Sequence, residues 1–597
     1  MSSPFRRASV ALLATSIGLS ACSDDDGPSR PLAPTGVTTG SITTTSLTVS
    51  WSAVNGATGY VVRRAVGASG TPAVVPSAVA GAATSFNDAG LLPSTVYRYQ
   101  VATVRGTDTS DFSPEISATT LAPGAAGTTD VSADITTNTT WTPDRVYRLT
   151  RIISVANGAT LTIQPGTRVV GPAVADGTNP TVAALVVLRG ARLVANGTRD
   201  LPIVFTSGAA AGASAFPGDW GGLVLVGNAS SNRTGRTVVE GPSPADTISW
   251  NGGTADGDNS GSLNFVRIEF AGAASQLNVE LNCLSMYAVG RGTSIQNVQC
   301  LRGLDDHFEW FGGTVDARNL VSYEAGDDHF DAAEGYRGRV QYIIGLQTGP
   351  RVTPRPGNVG ALSAEQSGFE IDGCGSTAGT CAQGFNSTPF NVPVFANFTI
   401  IGPGAGVLPA RSGRDGGLGA NIRRGTGGVW VNGIIGRWPE AGLSMFNAET
   451  NQRLTDDSLD VRNVLFVEQG GAGQARVLDS LAFETVTDAN ARRFGNGGRL
   501  ASRNIDSTAT TVEASFVNVP SAATVIANGA ALDWTPATGN ALARTGGLST
   551  FPARISARVG NFFGTGAMTA TGFRGAADPA VALANQWWSG WTVYRRN

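Results

Sequence analysis

The sequence predicts an all-β protein, on three grounds. Glycine supplies 78 of the 597 residues, with Thr, Ser, Asn and Val also abundant, and this mixture of turn formers and β-branched residues disfavours a mainly helical chain. Charged residues make up 15% against roughly 25% in an ordinary soluble domain, which excludes a disordered acidic or basic protein. Residues 283–304, 305–326 and 327–348 align without gaps at a 22-residue period, a plausible length for one coil of a solenoid.

The formal net charge is −3, and all 42 basic residues are arginine. Bulk electrostatic capture of nucleic acid is therefore not expected, and lysine-dependent chemistry, from Schiff bases to phosphate-loop lysines, is excluded. The two histidines, His307 and His329, are the only places for imidazole chemistry.

The first 21 residues read as a targeting segment. Arg6 and Arg7 precede an apolar run from Ala8 to Leu19, and Leu19-Ser20-Ala21-Cys22 follows at a cleavage point. This resembles a bacterial lipoprotein signal, which implies lipidation of Cys22 and anchoring by lipid alone. No later run approaches 18 consecutive apolar residues. Residues 22–33 form a Pro-containing tether. Ser23 stands where inner-membrane lipoproteins carry aspartate, and Ser23-Asp24-Asp25-Asp26 resembles a surface-export signal, or else is a solvated acidic linker. The expected address is the outer membrane, lipid-anchored and exposed at the cell surface.

Residues 34–121 alternate short β-rich runs with turns. Leu47, Val49 and Trp51 share one face at period two. Gly90-Leu91-Leu92-Pro93-Ser94-Thr95-Val96-Tyr97-Arg98-Tyr99 resembles the fibronectin type III signature, which implies a β-sandwich with Leu91 at a corner and Tyr97 as the corner tyrosine. The module holds no catalytic constellation; it serves as a spacer or a binding unit. Residues 122–129 are a linker.

From residue 130 to 597 short strands recur, among them Thr160-Leu161-Thr162-Ile163, Leu185-Val186-Val187-Leu188 and Gly222-Leu223-Val224-Leu225-Val226. They resemble the opening coils of right-handed parallel β-helices. Asn297 recurs as Asn319 and Gln341, and further rungs are expected around Asn397, Asn432 and Asn463, a spacing that suits a stacked ladder of turn side chains. Asp305-Asp306-His307-Phe308-Glu309-Trp310-Phe311-Gly312-Gly313-Thr314-Val315 and the terminal Trp587-Trp588-Ser589-Gly590-Trp591-Thr592 resemble a group of secreted or lipid-anchored bacterial β-helix proteins without a secure activity. Trp587, Trp588 and Trp591 are expected to plug the last coil.

Besides Cys22, four cysteines remain, an even count that in an exported chain reads as disulfides. Cys283–Cys300 with Cys374–Cys381 is the simplest of three connectivities.

The repeat carries the candidate site. Asp305-Asp306-His307-Phe308-Glu309 recurs as Asp327-Asp328-His329-Phe330-Asp331, placing like residues on adjacent coils about 4.8 Å apart. Phe308 and Phe330 are expected in the core, with His307, His329, Glu309 and Asp331 turned outward. Six carboxylates so close, Asp305, Asp306, Glu309, Asp327, Asp328 and Asp331, demand raised proton affinities, a cation or arginines. Oxygen-only donors favour calcium. Arg302, Arg318, Arg337 and Arg339 are the nearby arginines.

Three functions fit. The acidic ladder forms a recognition strip, with or without Ca2+, for a polysaccharide or a surface protein. Alternatively the protein is a polysaccharide lyase or glycosidase, with Asp305, Asp327, His307, His329, Arg318 and Arg337 as catalytic candidates. The third reading is a structural stalk whose ladder satisfies turn amides, a role that duplication on successive coils suits.

Overall fold

The computed structural model describes residues 30–594 apart from 76–78, 81–82, 211–212, 242–247, 278, 350, 352, 376–379, 405–415, 469–475, 479–502, 521–530 and 565. The signal segment and Cys22 lie outside the described residues.

The chain divides into two compact units. The first is a sandwich. Thr38–Gly40, Ser46–Ser50 and Ser85–Ala89 form one antiparallel sheet; Gly59–Val66 and Val96–Arg105 pair antiparallel at the centre of the other. Period-two alternation puts Leu47, Val49 and Trp51 inward, where they meet Tyr60, Val62, Leu91, Tyr97 and Tyr99.

The second unit is a parallel coil. A 17-stranded sheet runs from Thr128–Val131 to Asp506–Thr508, and a ten-stranded sheet from Ile153–Val155 to Arg476–Leu478. Within each sheet every strand pairs parallel with its counterpart on the next coil. Both inner faces supply one continuous apolar core. The long strands of the larger sheet, such as Ser294–Leu301 and Val394–Ile401, bend at a single left-handed residue. Asparagine holds this left-handed corner within a strand at Asn297, Asn319 and Asn397, and outside the strands at Asn432, Asn463 and Asn504, being the residue type that tolerates positive φ best after glycine. Their amides stack: Asn297 Nδ2 donates to Asn264 Oδ1 (2.8 Å), and Asn319 Nδ2 to Asn297 Oδ1 (2.9 Å).

The 22-residue period is kept from Phe308 to Phe330 and from Val298 to Leu320, but not throughout. Leu284 pairs with Phe308, 24 residues on, and Leu320 with Ile343, 23 residues on. The surplus lies in the turns 288–293 and 334–338, because turns absorb insertions that would throw a strand onto its wrong face. The gapless register across 283–348 is therefore corrected at two turns. As a consequence Tyr342, and not Gln341, takes the left-handed corner (φ 62°).

Several strands are buried on both sides, Val394–Ile401 along its whole length. Their outer faces are covered by the C-terminal region. Phe551, Ile555, Val559, Phe562 and Met568 pack on Val394, Ala396, Val429 and Val431. Trp588 and Tyr594 join Leu301, Tyr323, Leu346 and Ile401. The terminal tryptophans thus do not plug the last coil. Their segment lies along the outside, tied by Arg199 to Ser589 O (2.6 Å), Arg267 to Trp591 O (3.1 Å) and Gln299 Nε2 to Val593 O (2.6 Å). The exposed apolar rows of the larger sheet would otherwise face water.

Both expected disulfides are formed, Cys283–Cys300 and Cys374–Cys381. Among the described residues no helix is long and apolar enough to cross a membrane.

Candidate functional site

The smaller sheet builds the acidic site. Its strands Leu284–Tyr287, Phe308–Phe311, Phe330–Ala333 and Phe369–Asp372 lie side by side. Inward, Phe308 stacks on Phe330 (5.3 Å), and Phe369 packs tilted against Phe330 (5.6 Å). The next residue of each strand faces the opposite way, giving an outward row Ser285, Glu309, Asp331 and Glu370.

The two Asp-Asp pairs divide their labour. Asp306 accepts the backbone amide of Asp328 (2.7 Å), and Asp328 accepts that of Ser367. These carboxylates therefore satisfy the turn amide of the following coil. Asp305 and Asp327 instead line a cleft of about 710 Å³, walled by Val238–Gly241, Val279, Glu280 and residues 361–365. Carboxylate oxygens of Asp305, Asp306 and Asp327 come within 4.8 Å of one another, as do those of Asp306, Glu309 and Asp331. The two triplets share Asp306, and spacing of this order suits oxygens around one hard cation at 2.3–2.6 Å from each. Asp328 belongs to neither triplet, so its assignment as a metal ligand is corrected to an amide acceptor.

Burial dominates the electrostatics. It pushes the carboxyls of Asp305, Asp306, Glu309, Asp328 and Asp331 well above their ordinary range, and neighbouring carboxylates push them further. Asp327 rises less, to about 6, also chiefly through burial; Ser363, Arg351 and Arg423 restrain it. Raised proton affinity means that a bound divalent ion would compete with protons for this cluster.

The histidines are not outward. His307 and His329 are fully buried and held neutral by burial, His329 with its proton affinity down to about 3. The amide of Gly303 donates to His307 Nε2 (2.9 Å), so Nδ1 carries the proton and donates to Ser322 Oγ (2.7 Å). Ser322 then donates to His329 Nδ1. The alternation rule fails here because both histidines sit in the turn before the strand. As catalytic candidates they are corrected: they staple adjacent coils from inside.

The four arginines near in sequence do not reach the ladder either. Arg318 lies on the other sheet, bonded to Gln296 (2.7 Å) and over the Phe563 ring (5.0 Å). Arg337 pairs with Asp256 (2.9 Å), Arg339 with Asp316 (2.6 Å) and Arg302 with Glu324 (3.3 Å). The expectation of Arg318 or Arg337 as a lyase base is thereby corrected. The cations that act on the site come from other segments: Arg423 pairs with Glu370 and Asp372, Arg351 lies beside Asp327, and Arg233 acts on Glu240.

Sequence reasoning missed Glu240, Glu280, Asn282, Glu365 and Glu370. Asn282 donates to Glu240 (3.1 Å) and to Glu309. One signal was available: Phe369-Glu370-Ile371-Asp372 repeats the pattern of Phe330-Asp331-Ala332, displaced by a long insertion.

A parallel coil with two stacked sheets, a covered outer face and a lateral acidic cleft defines a β-helix of the pectate-lyase kind. The family model described as "Pectate-lyase like beta helix domain" matches residues 133–531, more than half of the chain, and the protein belongs to that family. A fibronectin type III domain model matches residues 32–119. The chain is 27% identical over 417 residues to Exoglucanase B of Cellulomonas fimi, a match covering 68% of this chain and 32% of that protein. It thus spans about a third of the length of this curated relative. Similar solved structures include the third fibronectin III domain of human KIAA0343 protein, at 23% identity, covering 18% of this chain and 94% of that one with a TM-score of 0.15. The FN5 domain of Drosophila Lar is another, at 29% identity over 15% of this chain and 97% of that one, with a TM-score of 0.14.

Proposed function

We propose that this protein binds a polysaccharide in the acidic cleft through a calcium ion held by Asp305, Asp306 and Asp327, with Glu309 and Asp331 extending the oxygen cluster behind it. One observation carries the reading: two overlapping carboxylate triplets lie at a cleft of about 710 Å³, within the range of small-molecule sites. Calcium bridges carboxylate and sugar oxygens readily because it accepts six to eight oxygen ligands in flexible geometry. The pectate-lyase-like family and the exoglucanase relative support a carbohydrate as the partner. Lipidation at Cys22 would hold the cleft at the outer surface of the cell.

A hydrolytic reading rests on a different feature. Asp305 and Asp327 line the same cleft with carboxylate oxygens within 4.8 Å of each other, close to the spacing of the carboxyl pair of a retaining glycosidase. One experiment decides between the two. The full chain is run through gels containing polygalacturonate, alginate, xylan or soluble cellulose derivatives, with millimolar calcium or chelator, while unsaturated and reducing products are assayed. Calcium-dependent retardation, lost in Asp305→Asn with Asp327→Asn and without product, is expected. No retardation by any polymer overturns the binding reading, and product release abolished by the same pair replaces it with a catalytic one, hydrolytic where the products are saturated and eliminative where they are unsaturated.

A further inference from the structure

A second cavity, of about 390 Å³, lies on the other sheet between the coil corner at Tyr342 and the C-terminal wrap. Three aromatic residues line it, Tyr342, Phe573 and Trp587, together with Asp578, Asn585 and Thr569. Trp587 donates its indole N–H inward to Ala576 O (2.9 Å), so its polar atom is already occupied and its ring serves as a wall. Gln586, 2% exposed, donates to the carbonyls of Asp578 (2.8 Å) and Val581 (2.9 Å), fixing the loop that carries the acid. Asp578 accepts the Ala580 amide with one oxygen (2.8 Å), and the residue lines the cavity.

The backbone supplies an independent sign of function. Coils before and after use asparagine at the left-handed corner, Asn319 and Asn397, yet here Tyr342 adopts φ 62°. A bulky residue in that region is an outlier with a cost on the order of 1 kcal/mol or more, and such cost is retained mostly where the side chain has a task. Phe265, the other aromatic at this corner position, has a packing explanation: Trp591 lies edge-on against it at 5.6 Å. Tyr342 lines the cavity.

We propose that this cavity is a binding pocket for a neutral sugar residue, separate from the acidic cleft. A pyranose ring offers an apolar C–H face to aromatic walls and hydroxyls that both donate and accept. The pocket answers with Tyr342, Phe573 and Trp587 on the apolar side and the Asp578 carboxylate and Asn585 amide on the polar side, while Thr569 bonds the Tyr342 hydroxyl. Asp578 in the lining opposes an anionic guest, and a cationic guest is the alternative that the test includes. The pocket does not depend on the cation reading of the first site.

The test uses the full chain and a panel of methyl glycosides of glucose, galactose, mannose and xylose, with choline as the cationic alternative. Binding is read by saturation-transfer NMR and tryptophan fluorescence. At least one glycoside is expected to bind saturably. Tyr342→Asn restores the residue of the neighbouring coils, so it should keep or raise the melting temperature while weakening that glycoside at least tenfold; Asp578→Asn should weaken it as well. Asp305→Asn with Asp327→Asn, or calcium removal, should leave it unchanged, which separates failure here from failure at the acidic cleft. Choline binding without glycoside binding, no saturable glycoside, or undiminished affinity in Tyr342→Asn would overturn the proposal.

Discussion

Asn397→Ala should be among the most damaging substitutions in the coil, although no ligand touches the site. Asn397 is fully buried and sits at φ 53°. It accepts from Gln341 Nε2 (3.0 Å) and donates to Thr571 Oγ1 (2.7 Å) and Gly575 O (3.2 Å). Loss of three hydrogen bonds at about 1 kcal/mol each, plus roughly 1 kcal/mol for alanine in the left-handed region, gives about 4 kcal/mol. Glycine loses the same bonds but adopts the backbone freely, so Asn397→Gly should recover roughly 1 kcal/mol of that. Guanidinium denaturation midpoints of the two variants and wild type, followed by tryptophan fluorescence, measure both the total and the difference. Equal midpoints for Ala and Gly, each within about 1 kcal/mol of wild type, would refute the claim that the corner asparagines hold the coils in register.

Phe330→Ala removes the middle ring of the Phe308–Phe330–Phe369 row and should destabilise by about 3–5 kcal/mol, read the same way. The buried histidines should contribute an acid-sensitive component of stability. Between pH 6.5 and about 3 the unfolded chain protonates His329 while the folded one does not, so stability falls as pH falls through that window, and His307→Gln with His329→Gln should flatten the fall in midpoints. Asp327 has the opposite sign: the folded state keeps a proton up to about 6 that the unfolded state releases from 3.8, so stability falls as pH rises across that window, and Asp327→Asn should remove this component. Cys22→Ser should move the protein from the membrane fraction to the soluble exported fraction; a variant still extracted only by detergent would contradict lipid anchoring.

How far the sequence reached depended on whether the pattern was local. The sandwich was legible because Trp51, Leu91 and Tyr97 fall within one short module at period two. The coil was legible from the repeat of Asp305–Glu309 at Asp327–Asp331, since adjacent rungs there are joined by turns of nearly constant length. Where turns grew, the register slipped: Gln341 looked like the next corner residue, and Tyr342 holds the position. The site was read only in part. The acidic pairing of two coils was visible, but Glu240 comes from a distant segment that no local spacing announces, and Glu370, whose strand repeats the Phe-acid pattern, is displaced from its neighbours by a long insertion. Outwardness was misjudged for His307 and His329 because alternation holds along a strand and lapses in the turn before it. The role of the C-terminal tryptophans was misplaced because covering an apolar outer face and plugging a coil end demand the same residues.

Calcium titration at neutral pH tests the central claim most directly. Isothermal calorimetry of the full chain is performed in two buffers of different ionisation enthalpy, alongside melting with calcium or chelator. Burial, and after it neighbouring carboxylates, raises the proton affinities of Asp305, Asp306 and Asp331, so calcium competes with protons there: binding should tighten as pH rises and give buffer-dependent heats where protons are displaced. At a hundredfold excess over Kd the folded state should gain about 2.7 kcal/mol, and Asp305→Asn with Asp327→Asn should abolish both signals. No calcium-dependent heat or melting shift in wild type, or an undiminished response in the double variant, would contradict the account.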